Sequence, residues 1–150
     1  MSANLIQLSV SPGGMPKLAV AEAMVSAEGL AGDWQRNRKY HGGPDRAVCV
    51  FSVELYDWLR ERGIDLAPGF VGENFTTQGI DLLSLSQGNR LRVGDCLIEI
   101  TKIRVPCKNL DQWHPDLAKA MNEPGRSGWV ARVLEFAVVR PGDLIELLQM

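Results

Sequence analysis

The chain has 150 residues, of which 45% are hydrophobic and 23% are charged. These values predict a single globular domain over residues 1–150 with its own apolar core. The formal net charge of −2 argues against a general attraction to nucleic acid or to an anionic membrane. No segment approaches the roughly 20 apolar residues of a spanning helix, and the first residues lack the basic start of a signal peptide. We therefore expect a cytoplasmic protein with no membrane and no nucleic-acid partner.

Hydrophobic patterning predicts a chain of many short strands. Residues 4–10 alternate in polarity, whereas residues 46–51 are apolar on both faces and predict a buried central strand. Residues 90–103 predict two strands joined by a Gly94-Asp95 turn. The β-branched run at 128–139 and the final segment at 140–150 predict further strands.

Two segments predict helices. Residues 52–63 begin with Ser52 as a candidate N-cap and end at Gly63, with apolar side chains at helical spacing between them. Residues 114–125 place Pro115 in a first turn and Leu117 and Met121 on one face. Many strands with two helices predict a β-barrel or a β-sandwich that carries helical insertions.

The segment RVPCKNL places Cys107 among basic residues, with Lys102, Arg104 and Lys108 close by in the sequence. Positive charge favours the thiolate form of a cysteine, which is both a nucleophile and a soft metal ligand. Pro106 restricts the backbone just before the thiol. The alternative is a surface cysteine beside solvated basic side chains, but the pattern favours a functional thiol.

The other two cysteines differ from Cys107. Cys49 and Cys96 lie in apolar strand segments, which predicts small buried core residues. Three cysteines leave at least one thiol unpaired within the chain, and a reducing compartment fits this usage. With two histidines and no CxxC motif, we expect no zinc site.

Three further loops combine glycine with polar side chains. HGGPDRAV at 41–48 offers flexible backbone amides before a buried strand, or a tight loop in which Asp45 and Arg46 pair with each other. GFVGENFTTQG at 69–79 fits a ligand-binding loop and an ordinary glycine-punctuated strand equally well, with Asn and Thr side chains available to a polar ligand. EPGRSGW at 123–129 could hold an anion through Arg126 and Ser127, or form a plain turn. Together the loops predict a site for an anionic, phosphate-bearing ligand with a soft atom.

The ordered series GDW…HGGPDRAV, PGFVGENFTTQGIDL, GNRLRVGD, IRVPCKNL and GRSGWVARVL resembles the MOSC domain, which is named for the C-terminal part of molybdenum cofactor sulfurases. The resemblance runs from about Pro16 to Leu147. It implies a mainly β fold, with a closed barrel of MOSC type and a few short helices. The chain is similar in size to small stand-alone members, whereas larger bacterial relatives that confer resistance to hydroxylaminopurine carry additional domains.

The resemblance also implies a cofactor and its site. Cys107 matches the family cysteine, which ligates molybdenum in a pterin cofactor (molybdopterin) in reductase members and is proposed to carry sulfur in sulfurase members. The resemblance places further residues in the cofactor pocket: His41, Gly42, Gly43, Asp45 and Arg46 on the HGG motif, Gly72, Glu73 and Asn74 on the GEN motif, and Arg104, Pro106 and Arg126 on the remaining positions. Lys108 and Ser127 join this set from their neighbourhood in the sequence. The cofactor's phosphate is expected among Arg46, Arg104, Lys108 and Arg126.

Three functions remain open from the sequence. The first is a molybdenum-dependent reductase of N-hydroxylated compounds, which needs a separate electron-donor protein because no flavin, haem or Fe–S motif is present. The second is a non-enzymatic carrier of the molybdenum cofactor or of sulfane sulfur on Cys107. The third is a metal-free thiol protein with a small-anion pocket.

Overall fold

The computed structural model describes residues 3–33 and 44–148. The described residues form strands β1 (Ala3–Val10), β2 (Leu18–Ala19), β3 (Ala23–Ser26), β4 (Gly29–Leu30), β5 (Val48–Ser52), β6 (Phe75–Gln78), β7 (Arg90–Val93), β8 (Cys96–Ile103), β9 (Trp129–Glu135), β10 (Ala137–Val139) and β11 (Leu144–Leu148). They also form helices α1 (Val53–Glu61) and α2 (Leu117–Met121), and short 3-10 helices at Pro44–Arg46, Leu82–Ser84 and Lys108–Gln112.

The fold is mainly β and is organised around a closed seven-stranded barrel. The strands follow the order β11-β7-β8-β9-β5-β6-β1, and β1 closes the barrel by pairing with β11. The β5–β6 pair is parallel, whereas the neighbouring pairs are antiparallel. A separate small sheet has the order β10-β3-β4, and β2 pairs with β1 beside the barrel. The predicted barrel fold is confirmed.

The core lies inside the barrel and beneath α1. Its largest fully buried side chains include Leu5, Phe51, Phe75, Leu91 and Ile98, which come from different strands of the closed sheet. Closure removes exposed strand edges and lets inward-facing residues of every strand share one apolar interior. No helix in the described part of the chain is long and apolar enough to span a membrane.

Helix α1 forms where the sequence predicts it. The Ser52 side-chain oxygen accepts a hydrogen bond from the Leu55 amide at 3.1 Å, which satisfies one of the free amides of the first turn. The helix buries Leu55, Tyr56 and Leu59 against the barrel. It ends before Gly63, whose φ of +82° suits a residue without a β-carbon.

Other predictions need adjustment. The hairpin predicted at 90–103 is confirmed as β7 and β8, but the run at 128–139 is divided between β9 in the barrel and β10 in the small sheet. Helix α2 is shorter than predicted, although Leu117 and Met121 are buried as expected. The division at 128–139 reflects pairing with two distant partners, β8 and β3, which local residue preferences do not encode.

Candidate functional site

Cys107 lies where the chain leaves β8 and enters the 3-10 helix at Lys108–Gln112. Its carbonyl oxygen accepts a hydrogen bond from the Leu110 amide at 3.1 Å, so the backbone at the cysteine is fixed. The thiol is free and partly exposed, and it does not cap the helix that follows. Lys108 is exposed at the next position. A held backbone with an accessible sulfur suits the predicted role of Cys107 as a ligand or a carrier.

Arg104 lies three residues before Cys107 and is partly exposed, with one of its guanidinium nitrogens buried. Its backbone amide donates to the Gly128 carbonyl at 3.1 Å, which ties the end of β8 to the start of β9. A β-carbon built on Gly72 would lie 3.5 Å from Arg104 Nη2, so the guanidinium lies against the GEN loop. Arg104 Nη1 is buried without a hydrogen-bond partner within the described residues. A buried unsatisfied donor costs about 1–3 kcal/mol, and more on a charged group, so an anionic acceptor here would be stabilising.

Glu73 of the GEN motif is fully buried. Its two carboxylate oxygens accept from the Tyr56 hydroxyl at 2.8 and 2.7 Å. One of them also accepts from the Gly69 amide at 3.1 Å and from the Thr76 hydroxyl at 2.8 Å. Burial raises the pKa of the Glu73 carboxyl, and these hydrogen bonds act in the opposite direction. The carboxylate thus contacts its own loop and helix α1.

Asn74 joins three segments of the chain. Its side-chain oxygen accepts from the Cys49 amide at 2.9 Å, and its side-chain nitrogen donates to the Ser9 carbonyl at 3.2 Å and to Asp33 at 2.9 Å. Its backbone amide donates to the Cys49 carbonyl at 2.9 Å. Both side-chain donors of Asn74 therefore serve contacts within the protein.

The two threonines after the GEN motif are also turned inward. Thr76 and Thr77 are almost completely buried, and their hydroxyls donate to Glu73 and to the Phe51 carbonyl. Of the two interpretations of this segment, the burial of the threonines favours the ordinary strand at these two positions.

Lys17 and Asp33 form a buried ion pair next to the GEN loop, where Asp33 also accepts from Asn74. Lys17 Nζ lies 2.8 Å from Asp33 Oδ2, and the two side chains are 8% and 2% exposed. Asp33 Oδ1 also accepts from the Ser11 amide at 2.9 Å. The GDW element of the motif series contains Asp33, so the sequence offers one signal for this ion pair. No local pattern around Lys17 predicts that its side chain is buried.

Cys49 corrects one prediction and Cys96 confirms another. Cys96 is fully buried, and burial raises its pKa to about 12. Cys49 is partly exposed rather than a core residue. Desolvation is the largest influence on Cys49 and raises its pKa, whereas the charges of Arg104 and Lys17 lower it. The Cys49 thiol therefore lies within electrostatic range of both Arg104 and Lys17.

The described part of the HGG motif lies on the 3-10 helix at Pro44–Arg46. Asp45 is exposed and pairs with Arg132 at 3.0 Å. The Thr101 hydroxyl donates to the Asp45 carbonyl, which fastens this turn to β8. Arg46 is partly exposed at the end of the turn. His41, Gly42 and Gly43 lie outside the described residues, so their part in the site stays a prediction.

Arg126 and Ser127 lie on the loop before β9. The Arg126 guanidinium lies 4.5 Å from the centre of the Trp58 ring, and Arg62 lies 4.1 Å from the same ring. Ser127 is 4% exposed. The structure thus places Arg104 against the GEN loop and Arg126 against α1. The convergence of Arg46, Arg104, Lys108 and Arg126 on one phosphate stays a prediction.

A metal-ligand cluster or a surface depression at the predicted site would support it independently. Among residues 3–33 and 44–148, no group of three or more His, Cys, Asp or Glu side chains is placed to hold a metal ion. A shallow surface depression contains none of the predicted site residues and is lined by Arg60, Asp65, Leu66, Ala67, Pro68 and Phe70. Within the described residues, neither feature adds a metal-ligand cluster or a cavity to the predicted site.

Comparisons with known proteins agree with this architecture. The family model of the MOSC domain matches residues 37–146. The chain is 36% identical to protein YiiM of Escherichia coli, covering 89% of this chain and 60% of that protein. It is 31% identical to protein YflK of Bacillus subtilis, covering 93% of this chain and 64% of that protein. The chain thus spans less than two-thirds of the length of these two relatives.

Solved structures show the same fold. The crystal structure of YiiM from Geobacillus stearothermophilus superimposes with a TM-score of 0.81 at 27% identity, covering 98% of this chain and 75% of that one. YiiM from Escherichia coli gives a TM-score of 0.76 at 29% identity, with 100% and 71% covered. The YUAD protein of Bacillus subtilis gives 0.76 at 20% identity, covering 98% and 96%, and shows the fold alone.

Proposed function

We propose, from the premise that this chain belongs to the MOSC domain family, that it binds the molybdenum cofactor with the Cys107 thiolate as a ligand to the metal. MOSC domains are associated with this cofactor in general. The observation that carries the proposal is the buried Nη1 of Arg104, which has no hydrogen-bond partner among residues 3–33 and 44–148 and lies three residues from a free, partly exposed thiol.

The residues present fit such a cofactor in two respects. An anionic oxygen next to Arg104 would satisfy the unpaired donor with a charge-assisted hydrogen bond. A single cysteine is a sufficient protein ligand when a pterin dithiolene supplies further sulfur atoms, because soft thiolate ligands suit a soft metal centre. Lys108, Arg46 and Arg126 are proposed as additional cations around the phosphate. His41, Gly42, Gly43, Asp45, Gly72, Asn74 and Ser127 are proposed as pocket residues.

We further propose that the protein reduces N-hydroxylated compounds. In this reaction the N–O bond breaks, two electrons and two protons are taken up, and the products are the amine and water. The bound cofactor would supply the two-electron chemistry at an open coordination position. The chain's own residues would bind and orient the cofactor, and a separate electron-donor protein would deliver the electrons. Asn74, Thr76 and Thr77 are hydrogen-bonded internally, so the proposal leaves orientation of the substrate to other groups.

The experiment is a turnover assay on cofactor-loaded protein with a chemical or protein reductant and a panel of hydroxylaminopurines and amidoximes. Wild type should form the amine, and Cys107→Ser should not, because a serine hydroxyl stays protonated and is a poor ligand for a soft metal. Cys49→Ser is the matched control and should retain turnover.

A second pair of variants tests the anion site. Arg104→Glu should weaken cofactor retention, whereas Arg60→Glu should not, because Arg60 is 54% exposed on α1 and pairs with Asp57 and Asp65. Arg62 is not a suitable control, since it shares Trp58 with Arg126. If loaded wild type reduces no compound of the panel but Cys107 accepts persulfide sulfur and passes it on, the carrier function replaces the reductase.

A further inference from the structure

The buried Tyr56–Glu73 pair links helix α1 to the loop in front of the GEN motif. The Tyr56 hydroxyl donates to the Glu73 carboxylate and accepts from the Val71 amide at 3.3 Å. The same carboxylate accepts from the Gly69 amide at 3.1 Å. Two side chains thus hold the amides at both ends of the short segment 69–71, and both are at most 2% exposed.

This loop packs directly on the backbone of Lys17. The Lys17 amide donates to the Gly69 carbonyl at 2.9 Å. A β-carbon on Gly69 would lie 2.2 Å from the Lys17 carbonyl oxygen, so the two backbones are in closest contact. Lys17 in turn forms the buried ion pair with Asp33, which also accepts from Asn74. The position of the loop therefore sets the position of this ion pair.

The other end of the loop packs on Arg104. Gly72 adopts a φ of +88°, and its amide donates to the Gly69 carbonyl at 3.1 Å. A β-carbon on Gly72 would meet Met15 at 3.1 Å and Arg104 Nη2 at 3.5 Å. Because only hydrogen occupies this side of Gly72, the guanidinium lies close to the loop backbone. A shift of the loop would thus move the surface on which Arg104 rests.

A role confined to stability does not explain the choice of residues. Burying a carboxyl group removes it from water at a cost that an apolar side chain of similar size avoids. Here the carboxylate contacts three donors from α1, the loop and β6, which fixes their mutual positions as an apolar contact would not.

We propose that Tyr56 and Glu73 are positioning residues, which hold the 69–72 loop so that Arg104 presents its unpaired Nη1 to an anion. This inference rests on the proposed function for the nature of the site, but it concerns the protein without cofactor. Glu73 then acts on the ligand through the loop rather than by touching it.

The experiment reads the Arg104 side chain directly in cofactor-free protein. The Nε–Hε resonance of Arg104 is assigned by its loss in Arg104→Lys, and its relaxation is measured in Tyr56→Phe and Glu73→Gln. Inorganic phosphate is then titrated into each variant. We expect both variants to broaden or shift the Arg104 resonance and to weaken phosphate binding on the order of tenfold, by analogy with the loss of a partner that orients a metal ligand.

Two neighbouring threonines of β6 provide a smaller change and its matched control. Thr76→Val removes a donor to Glu73, whereas Thr77→Val removes an equally buried hydroxyl of the same strand that donates to Phe51. We expect Thr76→Val to change the Arg104 resonance and Thr76→Ser to restore it, with no change in Thr77→Val. These variants serve if the larger changes prevent folding.

The inference is overturned if Tyr56→Phe, Glu73→Gln and Thr76→Val leave the Arg104 resonance and the phosphate affinity where Thr77→Val leaves them. If wild type binds no phosphate, the proposed anion site fails, and the Arg104 resonance alone still decides whether Tyr56 and Glu73 position the side chain.

Discussion

Cys107, Cys49 and Cys96 occupy three different environments, and their reactivity should follow those environments. Cys107 is partly exposed at the start of a 3-10 helix, Cys49 is partly exposed beside a buried ion pair, and Cys96 is fully buried. Desolvation raises the pKa of the Cys49 thiol and raises that of Cys96 to about 12. Less thiolate is therefore available at Cys49 and Cys96 at neutral pH.

We expect timed alkylation of the native protein to label Cys107 first, Cys49 more slowly and Cys96 only after unfolding. Peptide mass mapping at each time point measures the three rates. Labelling of Cys49 or Cys96 as fast as that of Cys107 would show that Cys107 is not the reactive thiol.

Glu73 should make stability depend on pH. Burial raises its pKa above the ordinary value of 4.5, so folding favours the protonated carboxyl. The contribution of Glu73 to the free energy of unfolding is then full below about pH 4.5 and is lost as pH rises through the folded-state pKa. Glu73→Gln cannot titrate at this position.

The unfolding free energy of wild type minus that of Glu73→Gln should therefore fall as pH rises above about 4.5, and level off once the folded carboxyl has ionised. Urea denaturation of both proteins across this range measures the difference. A difference that grows with pH would mean that hydrogen bonds outweigh burial at this residue.

At the scale of elements, close backbone approach fixes how loops join the barrel. Gly128 has a φ of +80°, and a β-carbon there would lie 2.3 Å from the Val50 carbonyl oxygen. Gly63 after α1 has a similar φ of +82°, but nothing lies within 4 Å of its β-carbon position. Substitution of Gly63 therefore measures the cost of the backbone conformation alone, whereas substitution of Gly128 adds the cost of a steric clash.

Gly63→Ala should cost about 1–2 kcal/mol for the left-handed conformation alone. Gly128→Ala should cost that amount plus about 1–3 kcal/mol, because the new methyl group forces β5 and β9 apart. Chemical denaturation measures both values. Equal losses would show that the loop before β9 adjusts without strain.

Elements whose signals are local could be predicted from the sequence. Ser52, the apolar spacing and Gly63 define α1, and the Gly94-Asp95 turn defines the β7–β8 hairpin. Long-range packing explains the rest. The environment of Cys49 depends on segments far along the chain, since its backbone bonds Asn74 and the charges of Arg104 and Lys17 lower its pKa.

For the site, too, the sequence predicted which residues matter but not their long-range contacts. The order of the motifs predicted Arg104, Gly72 and Cys107 as site residues, and the structure places Arg104 against Gly72. Glu73 points inward and accepts a hydrogen bond from Tyr56 of α1. This orientation could not be predicted, because the letters GEN are the same whether the carboxylate faces a ligand or is buried.

The chain forms a closed MOSC barrel that carries a partly exposed, basic-flanked thiol at Cys107 and, on Arg104, a buried Nη1 atom without a hydrogen-bond partner in the described residues. Closure of β1 on β11 makes the barrel a fixed frame for the loops that carry both groups. These features support the proposal that the chain binds a molybdenum cofactor through Cys107.

The most direct test is the molybdenum content per chain of protein purified from a host that makes the cofactor, for wild type, Cys107→Ser and Cys49→Ser. Metal analysis is combined with detection of the released pterin. The account predicts close to one molybdenum and one pterin per chain in wild type and Cys49→Ser, and loss of molybdenum in Cys107→Ser. Wild type without molybdenum or pterin, or Cys107→Ser that retains both in full, would contradict it.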